Sequence, residues 1–280
     1  MKPPAGTVEA ALAQARALGV ARLDAQLLLA HLLQRPRAWL LAHDDAPLTP
    51  AQQHDFETQC RRRAGDEPLA YLLGQREFHG LMLDVSPAVL VPRPDTETLV
   101  DWGLELLQRL PVAAPQVADL GSGSGAIALA LKHRHPAARV CAVERSAAAL
   151  EAARANAARL ALEIEWLAGD WWRPLAGRRL HLVLSNPPYI AAGDPHLPAL
   201  RHEPAEALTA GDDGLAALRS IIAGAGAHLQ GAGWLLLEHG HEQAEAVRGL
   251  LTGAGFDAVS TRTDLAGRPR CSGGLWHGGG

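Results

Sequence analysis

The segment Ser185-Asn186-Pro187-Pro188-Tyr189-Ile190 carries the most pointed chemistry in the chain. Asn186 offers an amide side chain, Pro187 a backbone carbonyl on a residue with no N–H, and Tyr189 an aromatic ring. The two prolines fix the backbone around them and stop any strand or helix that precedes them. A stiff loop of this composition can take both hydrogens of a planar NH2 group on two carbonyl oxygens while a ring stacks on its face. The same residues also fit a plain proline-rich turn after a strand, so the rest of the chain has to decide.

A second constellation is Asp119-Leu120-Gly121-Ser122-Gly123-Ser124-Gly125. Glycine lets backbone approach a ligand closely, and the helix start that follows presents free N–H groups to an anion. A flexible Gly-Ser linker would not sit between an apolar strand and an apolar helix. The G-x-G-x-G spacing differs from the G-x-G-x-x-G of dinucleotide sites, which points to a single nucleoside with an amino-acid tail. Glu144 follows Gly125 by 19 positions. That is close to the spacing of roughly 20 residues at which an acid grips ribose hydroxyls; the alternative is a solvated strand end. Asp170-Trp171 can flank an adenine ring, Asp170 accepting from its amine and Trp171 packing on its face. The alternative for Trp171 is ordinary packing. Among 13 histidines the closest pairs, His133/His135 and His239/His241, lack carboxylate or cysteine company at ligand spacing, so no metal is expected.

These groups need elements to position them. The stretch 5–74 reads as helical. Thr7 caps a first helix, and a second runs from Leu23 to Leu33 with Leu23, Leu27, Leu28, His31 and Leu32 on a face until Pro36 closes the region. Thr49-Pro50 opens a third towards Arg63, and Pro68 to Leu73 makes a short last one. Glu77-Phe78, His79-Gly80 and Leu81 to Val85 read as a β-hairpin, Ala88 to Val91 as a further extended piece, and Asp95 to Leu110 as a helix. From there strands (116–120, 139–143, 164–167, 180–184, 233–237) alternate with helices (126–132, 147–159, 215–229, 243–251). That is the pattern of an α/β parallel sheet covered on both faces. Segments 258–261 and 272–276 can pair as a terminal antiparallel hairpin. The long irregular stretch 191–214 follows the asparagine-proline loop directly, and loops of that length are commonly functional.

At 280 residues, 48% hydrophobic and 20% charged, the composition is that of a soluble globular protein with a large domain and a small one. A formal charge of −4 does not suggest a general nucleic-acid binder. Cys60, Cys141 and Cys271 are odd in number and far apart, which fits a reducing cytoplasm. Met1-Lys2-Pro3-Pro4 leads into no signal-like apolar core, and no apolar run is long enough to span a membrane.

Taken together, the sequence resembles the HemK-type (PrmC-like) protein-glutamine methyltransferases, which modify bacterial peptide-chain release factors. The likeness rests on Leu23 to Leu29, Tyr71 to Phe78, Val91-Pro92-Arg93-Pro94-Asp95-Thr96-Glu97, Asp119 to Ala128 and Gly169-Asp170-Trp171. It continues through Ser185 to Ile190, Glu203-Pro204, Ala207-Leu208, Asp213-Gly214-Leu215 and Asp264 with Gly267-Arg268. The asparagine-proline loop is shared with enzymes that methylate the amine of adenine; the proline-arginine-proline stretch with a helical N-terminal module is far more specific. The resemblance implies a Rossmann-like S-adenosylmethionine-dependent methyltransferase sheet (95–280). A β-hairpin connector (76–94) would join it to a small N-terminal helical substrate-docking domain (1–75).

The resemblance also implies S-adenosyl-L-methionine as methyl donor, S-adenosyl-L-homocysteine as product, and the glutamine of the release-factor Gly-Gly-Gln motif as acceptor. Asp119, Gly121, Ser122, Gly123, Ser124 and Gly125 would then hold the methionine part, Glu144 the ribose, and Asp170 and Trp171 the adenine side. Asn186 would adjoin the donor and, with Pro187, Pro188 and Tyr189, hold the glutamine; Asn186, Pro187 and Tyr189 would be catalytic. Glu144 stands where family members commonly carry aspartate, so the acid is kept one methylene longer. The expected protein is a cytoplasmic monomer with release factors as partners, no membrane attachment and no stable nucleic-acid complex. Competing expectations are glutamine methylation of a ribosomal protein, adenine-amine methylation of nucleic acid, and a nucleoside-binding module without turnover.

Overall fold

In the computed structural model, which describes residues 6–278, the chain divides after Gln75 into two compact units. The reading of Met1-Lys2-Pro3-Pro4 lies outside the described residues. The first unit is built from α1 (Val8–Ala17), α2 (Arg22–Leu33), α3 (Arg37–Ala42), α4 (Pro50–Ala64) and α5 (Leu69–Leu73). Thr7 caps α1 by accepting from the Ala10 N–H at 3.3 Å. Thr49 and Gln52 exchange bonds in a capping box ahead of α4, with Pro50 at its first position. Leu28 and Leu29 of α2 pack with Val8, Leu40, Phe56 and Cys60 in the core of this unit.

Two expectations for this unit change. The buried face of α2 is Ala25, Leu28 and Leu29, while Leu23 is half exposed, so the apolar stripe lies about a third of a turn from the expected one. Pro36 does not close the helical region. Its φ of −65° suits a helix start, and it stands at the N-terminus of α3.

A hairpin, β1 (Gln75–Phe78) and β2 (Leu81–Asp84), begins at the last residue of the first unit and opens the second. It turns through His79 and Gly80, both at positive φ, as a two-residue turn between twisted strands requires. Pro94–Thr96 forms a 3-10 turn that leads into α6 (Glu97–Arg109). Alternation then gives β3 (Gln116–Leu120), α7 (Ala126–Arg134), β4 (Arg139–Glu144), α8 (Ala147–Leu160), β5 (Glu165–Ala168) and β6 (Leu180–Ser185). The chain continues through α9 (Ala216–Ala225), β7 (Leu229–Glu238), α10 (Ala244–Gly253), β8 (Asp257–Thr263) and β9 (Pro269–Trp276).

The seven-stranded sheet runs β5-β4-β3-β6-β7-β9-β8. Strands β3 to β7 pair in parallel; β9 is antiparallel to β8, as the terminal hairpin reading expected, and is also antiparallel to β7. From β3 the chain moves outward through β4 and β5, then returns to the other side of β3 as β6. The reversal leaves a crevice at the carboxyl ends of β3 and β6, the place where open α/β sheets bind ligands.

Residues 88–91 are not an extended piece. The Val89 N–H donates to the Ser86 carbonyl at 3.0 Å in a turn after Pro87. Strand β7 starts four residues earlier than expected, and α9 stops earlier to make room. The glycines at 231 and 233 with Ala232 at φ 65° accommodate a register shift against β6 there.

Candidate active site

The ends of β3, β4, β5 and β6 open into one cleft within the second unit. At the end of β3 the chain turns through Gly121, Gly123 and Gly125, with φ of 74°, 54° and 84°. The N–H groups of Gly121 and Ser122 donate to the Val143 carbonyl at 2.9 and 3.1 Å, which pins the loop to β4. Gly121 to Ser124 line the cleft. A Cβ built on Gly123 meets nothing within 4 Å, so that backbone borders open space. The Ser122 hydroxyl is buried and has no partner among the described residues.

Gly125 departs from its expected role. It is not part of the cleft wall, and a Cβ there would meet Trp166 at 2.8 Å and Leu129 at 3.1 Å. Its bareness lets α7 pack closely against its neighbours. Asp119 also lies behind the wall, fully buried, with Oδ2 accepting from the Ala128 N–H at 3.2 Å and Oδ1 unpartnered. Burial pushes its carboxyl up to about 7; the Ala128 bond opposes the shift and the nearby Glu144 charge adds to it. Asp119 therefore braces the loop and does not face the ligand space.

Glu144 ends β4 in the cleft wall. Its Oε2 accepts from the Gly123 N–H and its Oε1 from the Ser146 N–H, both at 2.9 Å. An ionised carboxylate has about four lone-pair sites, so two fixed bonds leave acceptor capacity for a pair of hydroxyls. Asp170 is exposed at the rim, and Trp171 holds a φ of 43° with its ring 3.2 Å from the position of a Gly121 Cβ. Both line the cleft.

Across the cleft, Ser185 closes β6 by donating to the Leu120 carbonyl at 2.6 Å. Asn186 follows in the wall, its Nδ2 donating to the Thr96 hydroxyl at 3.2 Å. Pro188 also lines the cleft; Pro187 is buried and does not. The ring of Tyr189 is not where the sequence expectation put it. It packs against the core on one face of the sheet, and its hydroxyl reaches Glu238 Oε1 at 3.4 Å. Its carbonyl accepts from Gln243 Nε2 at 3.0 Å. Burial, then the Glu238 charge, raise the Tyr189 hydroxyl well above the usual phenol range, so it stays neutral. Tyr189 anchors the loop and is not part of the cleft wall.

Arg93, whose motif the sequence singled out without a role, is on the cleft wall and ion-pairs with buried Glu203, which also accepts from the Val91 N–H at 3.1 Å. Two groups were given no role from sequence. Thr96 holds the Asn186 amide. Glu238 ends the apolar run Trp234-Leu235-Leu236-Leu237 fully inside the protein, and burial pushes its carboxyl up to about 7 while Thr96 and Arg270 oppose the shift. An acid closing an apolar strand was visible in the sequence, but Glu238 has no glycine loop about 20 positions before it of the kind that pointed to Glu144.

Among the described residues no helix is long and apolar enough to cross a membrane. Family models match at residues 7–74, the PrmC N-terminal domain, and at 96–203, the methyltransferase small domain. A 16S rRNA methyltransferase from T. thermophilus, solved with AdoMet and guanosine, superposes with a TM-score of 0.55 over 72% of this chain and 49% of that one. At 21% identity, that likeness is one of fold. The release factor glutamine methyltransferase of Escherichia coli is 42% identical over 270 residues, covering 95% of this chain and 96% of that protein. The Bordetella pertussis protein of the same name is 51% identical over 259 residues, 91% of this chain and 95% of that one. With such identity across nearly the full length of both chains, the protein belongs to the release factor glutamine methyltransferase family.

Proposed function

We propose that the chain transfers a methyl group from S-adenosyl-L-methionine to the side-chain amide nitrogen of the glutamine in the Gly-Gly-Gln motif of class 1 release factors. S-adenosyl-L-homocysteine is then the product. The observation that carries this reading is the state of Asn186. Its NH2 is taken by Thr96, which leaves its oxygen as a hydrogen-bond acceptor in the wall of the cleft that also holds the glycine loop and Glu144.

The residues on the donor side fit the group. Gly123 borders open space, the Ser122 hydroxyl is a buried donor awaiting a partner, and Glu144 is held with lone pairs to spare. Gly121 to Ser124 would hold the methionine part, Glu144 the ribose hydroxyls, and Asp170 and Trp171 the adenine side. When bound, S-adenosylmethionine supplies an electrophilic methyl on a sulfonium.

The difficulty lies with the acceptor. An amide nitrogen shares its lone pair with the carbonyl, and the rotation barrier of about 18–20 kcal/mol reports that sharing. The Asn186 oxygen would accept an N–H bond of the glutamine, orient the nitrogen and stabilise the positive charge that develops on it; Pro187, buried outside the cleft wall, would stiffen the loop that presents it. Pro188 limits the room beside it. Positioning of this kind contributes about 7–11 kcal/mol; the methyl leaves the sulfonium for the nitrogen, and the excess N–H proton is lost to solvent after transfer, so no strong base is required. The helical unit, residues 7–74, would serve as the docking module for the protein substrate.

The test is incubation with labelled donor and, separately, release factor, ribosomal protein or DNA, with mass-spectrometric localisation of the added group. One methyl on the Gly-Gly-Gln glutamine is expected. A methyl on an adenine amine or on a ribosomal protein alone would contradict the reading.

A further inference from the structure

The buried face of α8 is Ala149, Leu150, Ala153, Asn156 and Ala157. Four of these are apolar and the fifth is an amide. Asparagine is at home in caps and turns, because in a helix interior its side chain competes for backbone bonds. Asn156 is nevertheless 0% exposed, so its amide has to find partners inside the protein. It finds them on two segments far apart in sequence. Its Oδ1 accepts from the Asp84 N–H at 2.7 Å, and its Nδ2 donates to the Asp84 carbonyl at 3.0 Å and the Ser124 carbonyl at 3.1 Å. These partners fix the amide orientation: a flipped amide would set its oxygen against two carbonyl oxygens.

Both segments lead into the cleft wall. Ser124 lines the cleft at the end of the glycine loop. Asp84 ends β2, and the chain that follows it lines the same cleft through Val89, Leu90 and Val91. The rest of the glycine loop is tied to β4, Gly121 and Ser122 through the Val143 carbonyl and Gly123 through Glu144. Asn156 ties Ser124 from a different element and is not itself part of the cleft wall. We propose that Asn156 is a positioning residue for the methyl-donor site, which holds the glycine loop and the outgoing end of the hairpin in one fixed relation. The proposal rests on the role given to residues 121–124 above. A glycine-rich loop has many conformations to lose when a ligand binds, and bonds already made in the free protein reduce that loss. Arg159, three positions along α8, is a natural comparison. It ion-pairs with Asp84 at 2.9 Å and donates to the Met82 carbonyl and, at 3.3 Å, to Asn156 Oδ1, so its bonds brace the hairpin and not the glycine loop.

The experiment compares variants of the full-length chain by calorimetry with S-adenosyl-L-methionine, by thermal melting and by steady-state methylation of release factor. Asn156→Ala should weaken calorimetric affinity and raise the KM for the methyl donor about tenfold, the scale of one lost buried hydrogen bond. The kcat at saturating methyl donor and the KM for release factor should stay at wild-type values. Asn156→Asp keeps the shape and the acceptor for the Asp84 N–H but replaces Nδ2 with an oxygen. It should show the same loss, and it takes the place of Asn156→Ala if the alanine variant does not fold. Arg159→Ala should lower the melting temperature and leave affinity for S-adenosyl-L-methionine unchanged. Wild-type affinity in the Asn156 variants, or an equal loss of affinity in Arg159→Ala, would overturn the proposal, because the effect would then be one of stability alone. A wild-type chain that binds no S-adenosyl-L-methionine would instead refute the functional reading on which the proposal rests.

Discussion

Asn186 is informative because its two amide atoms are distinguishable by what they bond. Thr96 occupies the nitrogen, so the oxygen is the group on offer. Glycine at 123 is equally specific. Its φ of 54° strains any side chain, and its Cβ direction is open space beside Glu144. Gly123→Val should therefore abolish donor binding while the fold persists, read as loss of the calorimetric signal; unchanged affinity would reject the loop as the donor seat. Local spacing made Gly121 to Ser124, Glu144 and Asn186 legible in the sequence. Arg93 and Glu203 were visible only as unpaired motif residues, because 110 positions separate them and no short-range pattern joins them. Tyr189 shows the opposite failure. Its ring is adjacent to the loop in sequence, but a buried acid 49 positions away, Glu238, draws its hydroxyl into the core.

At the level of elements, the alternation of strands and helices determined a parallel sheet, and capping residues placed α1 and α4 well. The elements that shifted were those whose local signals were weak or opposed. α3 is six residues long and starts where a proline suggested an end. The 88–91 segment lacks a partner strand and folds into a turn. The early start of β7 depends on pairing with β6, which local propensity does not report. The helical unit has its own prediction. Leu23 and Leu41 are 50% and 57% exposed, more than packing within that unit requires. If it docks the protein substrate, Leu23→Ser with Leu41→Ser should raise KM for release factor several-fold. The rate on a short Gly-Gly-Gln peptide should not change. Equal effects on both substrates would remove the docking role.

For the molecule as a whole, the cleft sits where the order of strands reverses, and the fold tolerates buried acids there. Asp119 is the clearest case, its carboxyl raised from 3.8 to about 7 mainly by burial. The folded chain holds that proton more tightly than the unfolded chain does, so this group's contribution to stability falls as pH rises from about 4 to about 7. Asp119→Asn removes the titration and keeps an oxygen for the Ala128 N–H. Its melting temperature relative to wild type should therefore climb across that interval; a constant difference would show that Asp119 is already ionised in the folded protein. The carboxyl belongs to the bracing of the glycine loop, so the donor site and the stability of the sheet's centre are linked through one residue.

The measurement that bears most directly on the whole account is single-turnover methylation of the release-factor glutamine by Asn186→Ala, with donor affinity measured on the same preparation. The account predicts a rate at least about a hundredfold below wild type, the scale of losing one preorganised polar contact, with donor affinity retained. Near-normal turnover by that variant would contradict it, because the glutamine NH2 would then be oriented by something other than the Asn186 oxygen.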